Sequence, residues 1–218
     1  MAQLLYDRHS PNVVLKTAKR HMRLCRQNKG TEDHATAIEP AYNALLEKSE
    51  ASKAAVENYE NNYDLVVICD AELDDKARDS KEAAQKFDRE HPGEMTTTKL
   101  FPNGITPVIY VSYQNEPSEI EKLILRINDL GAEHELHVLV EPLQTALNNS
   151  KEALNALNLS IEALKTAEAL EQIAKINLCR QYEQNYYAVS SRFGKLYANR
   201  LFPKIAVPPR LSDEETEN

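Results

Sequence analysis

Residues 41–91 read AYNALLEKSEASKAAVENYENNYDLVVICDAELDDKARDSKEAAQKFDREH, and residues 143–193 read LQTALNNSKEALNALNLSIEALKTAEALEQIAKINLCRQYEQNYYAVSSRF. Each run is 51 residues long and holds neither glycine nor proline. Both are rich in Ala, Leu, Glu, Lys and Gln, the strongest helix formers. They predict two long helices. Steps of alternating four and three residues join Ile38 to Phe87 through Leu45, Ser49, Ser52, Tyr59, Val66, Leu73, Ala77 and Ala84. The second run repeats the rhythm through Leu143, Leu147, Ser150, Leu154, Leu157 and Ile161, then drifts toward the 3.6 period through Ala174, Leu178, Tyr182 and Val189. Such a stripe is the seam of a bundle or coiled coil. Because the register never slips, each run reads as one helix. The rival is a hairpin at Tyr59–Asp64, where paired asparagines offer a cap.

Outward from these runs the chain reads as a tandem duplication. Glu39-Pro40 and Glu141-Pro142 precede them, 102 residues apart. Lys99-Leu100-Phe101-Pro102 and Arg200-Leu201-Phe202-Pro203 follow them, 101 apart. Pro107 has a loose counterpart in Pro208, and Pro11–Gly30 has a shorter one in Pro117–Gly131. The expected fold is all-α, an internally duplicated helical bundle with coiled-coil-like packing, each repeat a short helix plus a long one. The first repeat spans 1–107, with a short helix over 11–29, a long helix over about 38–90 and a loop over 91–107. The second spans 108–203, with helices over about 117–130 and 140–199. Residues 204–218 read as a mobile acidic tail. Ser10-Pro11 is an N-cap followed by proline at the first helical position. Asn103-Gly104 marks a turn, and Val108–Tyr113, lacking a strand partner, reads as an extended connector. Each Leu-Phe-Pro motif reads as an anchor folding the chain back onto its helices.

Composition narrows the function classes. The 218 residues carry 26 basic and 34 acidic groups, a net charge of −8. With five glycines the chain is poor in the loops that cradle phosphates, and it has no Walker, dinucleotide, Gly-x-Ser-x-Gly or His-Glu-x-x-His pattern. No window approaches the roughly 18 apolar residues of a membrane-spanning helix. Three cysteines, Cys25, Cys69 and Cys179, form no CxxC pair. Free thiols in a cytoplasmic protein are the expectation.

Two clusters have metal-ligand chemistry. Glu133-His134-Glu135-Leu136-His137 offers three ligands on one face, whether helical or extended, and Asp88-Arg-Glu-His91 resembles half of a di-iron pattern with the wrong acid. Both lie at segment ends and read as solvated polar residues; no cofactor or metal is assigned. Tyr59, Tyr63, Tyr182, Tyr186 and Tyr187 lie near the seams and read as core residues with the hydroxyl at the wet edge.

Charge is unevenly spread. Residues 1–30 hold seven basic groups against Asp7 alone, so the rest of the chain is strongly acidic. Lys16, Lys19, Arg20, Arg23 and Arg26 form a candidate basic contact patch on the first helix, behind an apolar stripe of Val14, Ala18, Met22 and Cys25. The first reading is that these cations face the acidic long helices. Contact with nucleic acid is a third-ranked function, opposed by the acidic whole and by the absence of interleaved aromatics.

The leading function is a non-catalytic helical scaffold or protein–protein interaction protein. The alternative is a bundle that binds a small molecule or metal, with enzymatic activity as an extension. A 51-residue helix is about 77 Å long, against about 28 and 21 Å for the short ones. Leu65-Val-Val-Ile-Cys69, apolar around the whole helix, then needs neighbours that one chain lacks, so a homodimer is expected. Far-ultraviolet circular dichroism should show more than half of the chain in helix.

Overall fold

A computed structural model describes residues 4–204. Among them the chain forms seven α-helices, one 3₁₀ turn and no strand. The helices are α1 (Pro11–Gln27), α2 (Glu32–Glu90), α3 (Thr96–Leu100), α4 (Thr106–Ile109), α5 (Glu116–Asn128), α6 (Val140–Phe193) and α7 (Lys195–Leu201), with the 3₁₀ turn Glu135–Leu139 ahead of α6. No helix among the described residues is long and apolar enough to cross a membrane. Pro208 and the acidic residues 205–218 lie outside the described residues.

Both glycine- and proline-free runs are uninterrupted helix, of 59 residues in α2 and 54 in α6. The hairpin at Tyr59–Asp64 does not form. Asn62 spends its amide within the helix, donating to the Asn58 carbonyl at 2.8 Å, so it caps nothing.

Several boundaries differ from the sequence reading. α2 starts at Glu32, not near 38, and carries Pro40 inside it. Proline there deletes the hydrogen bond to the Thr36 carbonyl. Burial offsets the loss, since Ala35 and Ile38, on either side of that carbonyl, are both fully buried. Pro142 falls in the first turn of α6, where no intrahelical bond is lost. α6 stops at Phe193, not 199: Gly194 takes φ 83°, which side chains resist, and α7 starts afresh. α1 ends at Gln27 instead of 29, and α5 covers Glu116–Asn128 instead of 117–130. The 91–107 loop contains α3 and the start of α4, and the extended connector fails: Val108 and Ile109 are helical. Pro107 sits in the first turn of α4 and presets its φ, while Val108 is buried.

By compactness the described chain divides into two units. One joins the chain up to Ala54 to the chain from Lys165; the other is Ala55–Leu164. α2 and α6 pass through both, so each unit takes part of each long helix.

In the first unit, α1 buries the expected stripe of Val14, Ala18, Met22 and Cys25. It packs on the start of α2 (Ile38, Leu45) and the end of α6 (Leu178, Tyr182, Val189), so the long helices run antiparallel. α7 then returns the chain, and Leu201 and Phe202 are 1 and 0 % exposed. The Phe202 ring lies 4.2 Å from His21 and 5.0 Å from Tyr182 between centroids.

In the second unit, Leu73, Ala77 and Ala84 of α2 pack on Leu143, Ala146 and Leu147 of α6. α5 covers this pair with Ile120, Leu123, Ile124 and Ile127, and the chain after α2 returns through Leu100 and Phe101, both buried. Val66, Cys69, Ala153 and Leu157 form a smaller cluster.

Within each unit the buried faces of the long helices follow the seam read from the sequence. Two buried serines are accommodated by back-bonding: Ser80 Oγ donates to the Lys76 carbonyl and Ser160 Oγ to the Leu157 carbonyl, each at 2.7 Å. A short side chain whose donor is satisfied inside its own helix leaves space for the neighbouring helix. Replacing Phe202 by alanine should cost about 3–5 kcal/mol, as for other large buried aromatics, read as a lower urea midpoint.

Candidate functional site

The five cations of the proposed basic patch all lie on the exposed side of α1, opposite its buried stripe. Arg26 pairs with Glu39 of α2 at 2.8 Å. Lys16, Lys19, Arg20 and Arg23 make no ion pair among the described residues. The expectation that the cations face the acidic long helices is therefore met by Arg26 alone. The others form a solvated face, because the residues that seat α1 are the apolar ones on its other side.

Behind that face lies a polar node that ties all four elements of the first unit together. His21 of α1 is fully buried, and its Nδ1 lies 2.9 Å from the Leu201 carbonyl at the end of α7. A carbonyl only accepts, so Nδ1 carries the proton. Nε2 is then the acceptor for the Asn185 amide of α6, 3.2 Å away. The same amide donates to the His34 carbonyl of α2 at 2.8 Å. His21 is thus neutral and hydrogen-bonded on both nitrogens. Burial, partly opposed by the Leu201 carbonyl and reinforced by His34, brings its pKa from 6.5 to about 4. The node holds helices together, since both ring nitrogens of His21 are engaged by groups of other helices.

The cysteines supply no nucleophile. All three are buried free thiols. Burial, with Asp33 nearby, pushes Cys25 up to about 12, and burial pushes Cys179 up to about 11. Such thiols stay protonated at neutral pH. Tyr182 departs from the wet-edge expectation: its hydroxyl is buried without a hydrogen-bond partner among the described residues, and burial raises its pKa. Tyr63 and Tyr187 are exposed, at 42 and 58 %.

Neither metal lead assembles. His134 caps the 3₁₀ turn, its Nδ1 accepting from the Leu136 N–H at 3.2 Å, and its ring packs 4.6 Å from Phe87. Asp88 instead accepts the Thr96 and Thr97 N–H groups at 2.6 and 2.9 Å, seating α3. His91 stacks on Phe87 at 4.2 Å. Among the described residues no group of three or more His, Cys, Asp or Glu is placed to hold a metal ion.

One groove of about 410 Å³ lies in the second unit, between α5 and α6. Gln114, Ser118, Asn155 and Asn158 line it, and the Glu121–Lys151 ion pair spans it. It is broad and open, with no buried charge aimed into it.

No protein-family model, curated protein or solved structure matches the chain. The functional reading therefore rests on the geometry. Sequence reasoning missed Asn185 and a buried glutamate at the start of α5. A lone Asn inside QYEQNYY carries no signal, because its partners come from α1 and α2.

The His21 node sets an acid limit on stability. His21 binds its proton near pH 6.5 when unfolded and near 4 when folded, so its contribution is intact above pH 6.5 and lost as pH falls toward 4. The loss amounts to about 3 kcal/mol. Urea titrations across that range should show it in the native chain, with a flatter profile in His21→Asn.

Proposed function

We propose that this protein is a non-catalytic helical scaffold that acts by binding protein surfaces, including those of a second copy of itself. The observation that carries the reading is an apolar stretch left in water. On α2, Leu65, Val67 and Ile68 are 45, 50 and 63 % exposed, and on α6 Leu159 is 59 % exposed. Val66, Cys69, Ala153 and Leu157 lie beneath as a narrow seam. Large apolar side chains exposed close together along one helix, as Leu65, Val67 and Ile68 are, support an interface. A twofold-related copy would bring the same apolar set to face itself and remove both from water.

The reading includes an internal duplication. Its support is the near-constant offset of the Glu-Pro and Leu-Phe-Pro motifs and the like order of elements. A short helix opens each repeat, a long helix follows, and a short helix with a buried Leu-Phe pair closes it. Coiled-coil-like packing is supported by burial along the four–three steps, and a cytoplasmic setting by three free thiols. A net charge of −8 opposes a polyanionic partner for the α1 face.

Light scattering at micromolar concentration should give twice the 24.7 kDa chain mass. The double variant Val67→Lys, Ile68→Lys should give a single-chain mass with unchanged helical dichroism. A native chain that scatters as one compact copy refutes the dimer.

A further inference from the structure

The second unit places three acids where α5 begins. Glu116, the first residue of α5, is 2 % exposed, and its Oε1 is buried with no hydrogen-bond donor. Asp70 and Asp74, one turn apart on α2, are close enough to act on its charge. Oδ1 of Asp74 is likewise buried without a donor, while Oδ2 is held by Arg78 at 2.9 Å. Arg78 is shared with Asp75, at 3.2 Å. The remaining charges nearby are already paired: on α5 Glu119 is held by Lys122, and Glu121 by Lys151 of α6. The preceding turn contributes Tyr113, packed on the Val66–Leu157 cluster. Glu116 therefore has two acidic neighbours on α2 and no ion pair among the described residues.

A buried, ionised Glu116 beside two further acids is untenable. Desolvation and mutual repulsion each favour a neutral form. A metal ion does not resolve the conflict, because no group of three or more such side chains among the described residues is placed to hold one. A proton does. A protonated carboxyl turns one orphan oxygen into a donor for the other.

We propose that Glu116 holds a proton and donates it in a hydrogen bond to the acidic side chains beside it on α2, and that this bond latches the first turn of α5 onto α2. The latch replaces the usual helix start. Asn115 makes no side-chain cap, and the helix dipole would favour an ionised Glu116. Burial, followed by Asp70 and then Asp74, prevails and brings the Glu116 pKa from 4.5 to about 9. The sign follows. The folded chain keeps a proton that the unfolded chain loses above pH 4.5, so stability declines as pH rises toward 9. Above that pH the proton passes to solvent hydroxide, three negative charges face one another, and the start of α5 is released from α2.

Glu116→Gln provides a fixed amide donor in place of the O–H and tests the latch. Between pH 5 and 9 the folding constant of the native chain should fall relative to this variant, by up to tenfold per pH unit. Hydrogen exchange at residues 116–120, corrected for its intrinsic pH dependence, should rise near pH 9 in the native chain only. An equal pH slope in both proteins overturns the proposal. If Glu116→Gln does not fold, infrared spectra of the native chain still decide: a carboxylic-acid carbonyl band should be present at pH 7 and vanish near pH 9, with a lower midpoint in Asp70→Asn. Absence of that band at pH 7 overturns it. So does a rise in melting temperature on adding calcium or magnesium chloride at pH 7 to the native chain but not to Glu116→Gln, since the acids would then be holding a cation.

Discussion

A helix of 59 residues exposes more side than a single partner helix covers, and every other feature of the chain answers that constraint. In water a helix is stabilised mainly by burying its apolar face. α2 and α6 bury theirs against each other along a seam of Leu, Ala, Ser and Val, and each unit adds a cover of its own. In the first unit the cover is α1 with the returning Leu201-Phe202; in the second it is α5 with Leu100-Phe101. Leu65, Val67 and Ile68 lie where no cover is provided.

The two units solve the problem of buried polarity in opposite ways. The first buries a neutral base, His21, and satisfies both ring nitrogens with groups from α6 and α7. The second buries an acid, Glu116, beside two others. One node weakens in acid and the other in alkali, because the charged form is disfavoured in each case but the direction of titration is reversed. Such nodes are specific as well as costly. A purely apolar contact tolerates a small slide of one helix over another, whereas an Asn185 amide shared between His21 and the His34 carbonyl does not.

Much of the architecture was legible in consecutive residues. The four–three step from Ile38 to Phe87 marks most of the buried face of α2, with Val56 and Tyr63 on it left exposed, and Leu201-Phe202 and Leu100-Phe101 are buried, as expected of anchors. Legibility failed where distant burial outweighed a local signal. Pro40 looks like a helix start, yet the helix begins at Glu32 because Ala35 and Ile38 have a core to enter. Val108–Tyr113 has the composition of an extended segment, but its first two residues are helical, with Val108 buried and Pro107 setting the turn. The basic patch was legible as a face of α1, while its partners were not: only Arg26 finds an acid in reach.

The sequence by itself determined that two long helices form, which faces they bury and where the chain turns back. Those are consequences of backbone propensity, side-chain period and breakers, all properties of neighbouring residues. The tertiary structure alone decided that compactness divides each long helix between two units, that His21 meets a carbonyl 180 residues away, and that Glu116 lies near Asp70 and Asp74. Protonation and hydrogen-bond partnership depend on the dielectric and the charges brought in by other segments. A residue's own neighbours in the chain say nothing about those until the helices have packed.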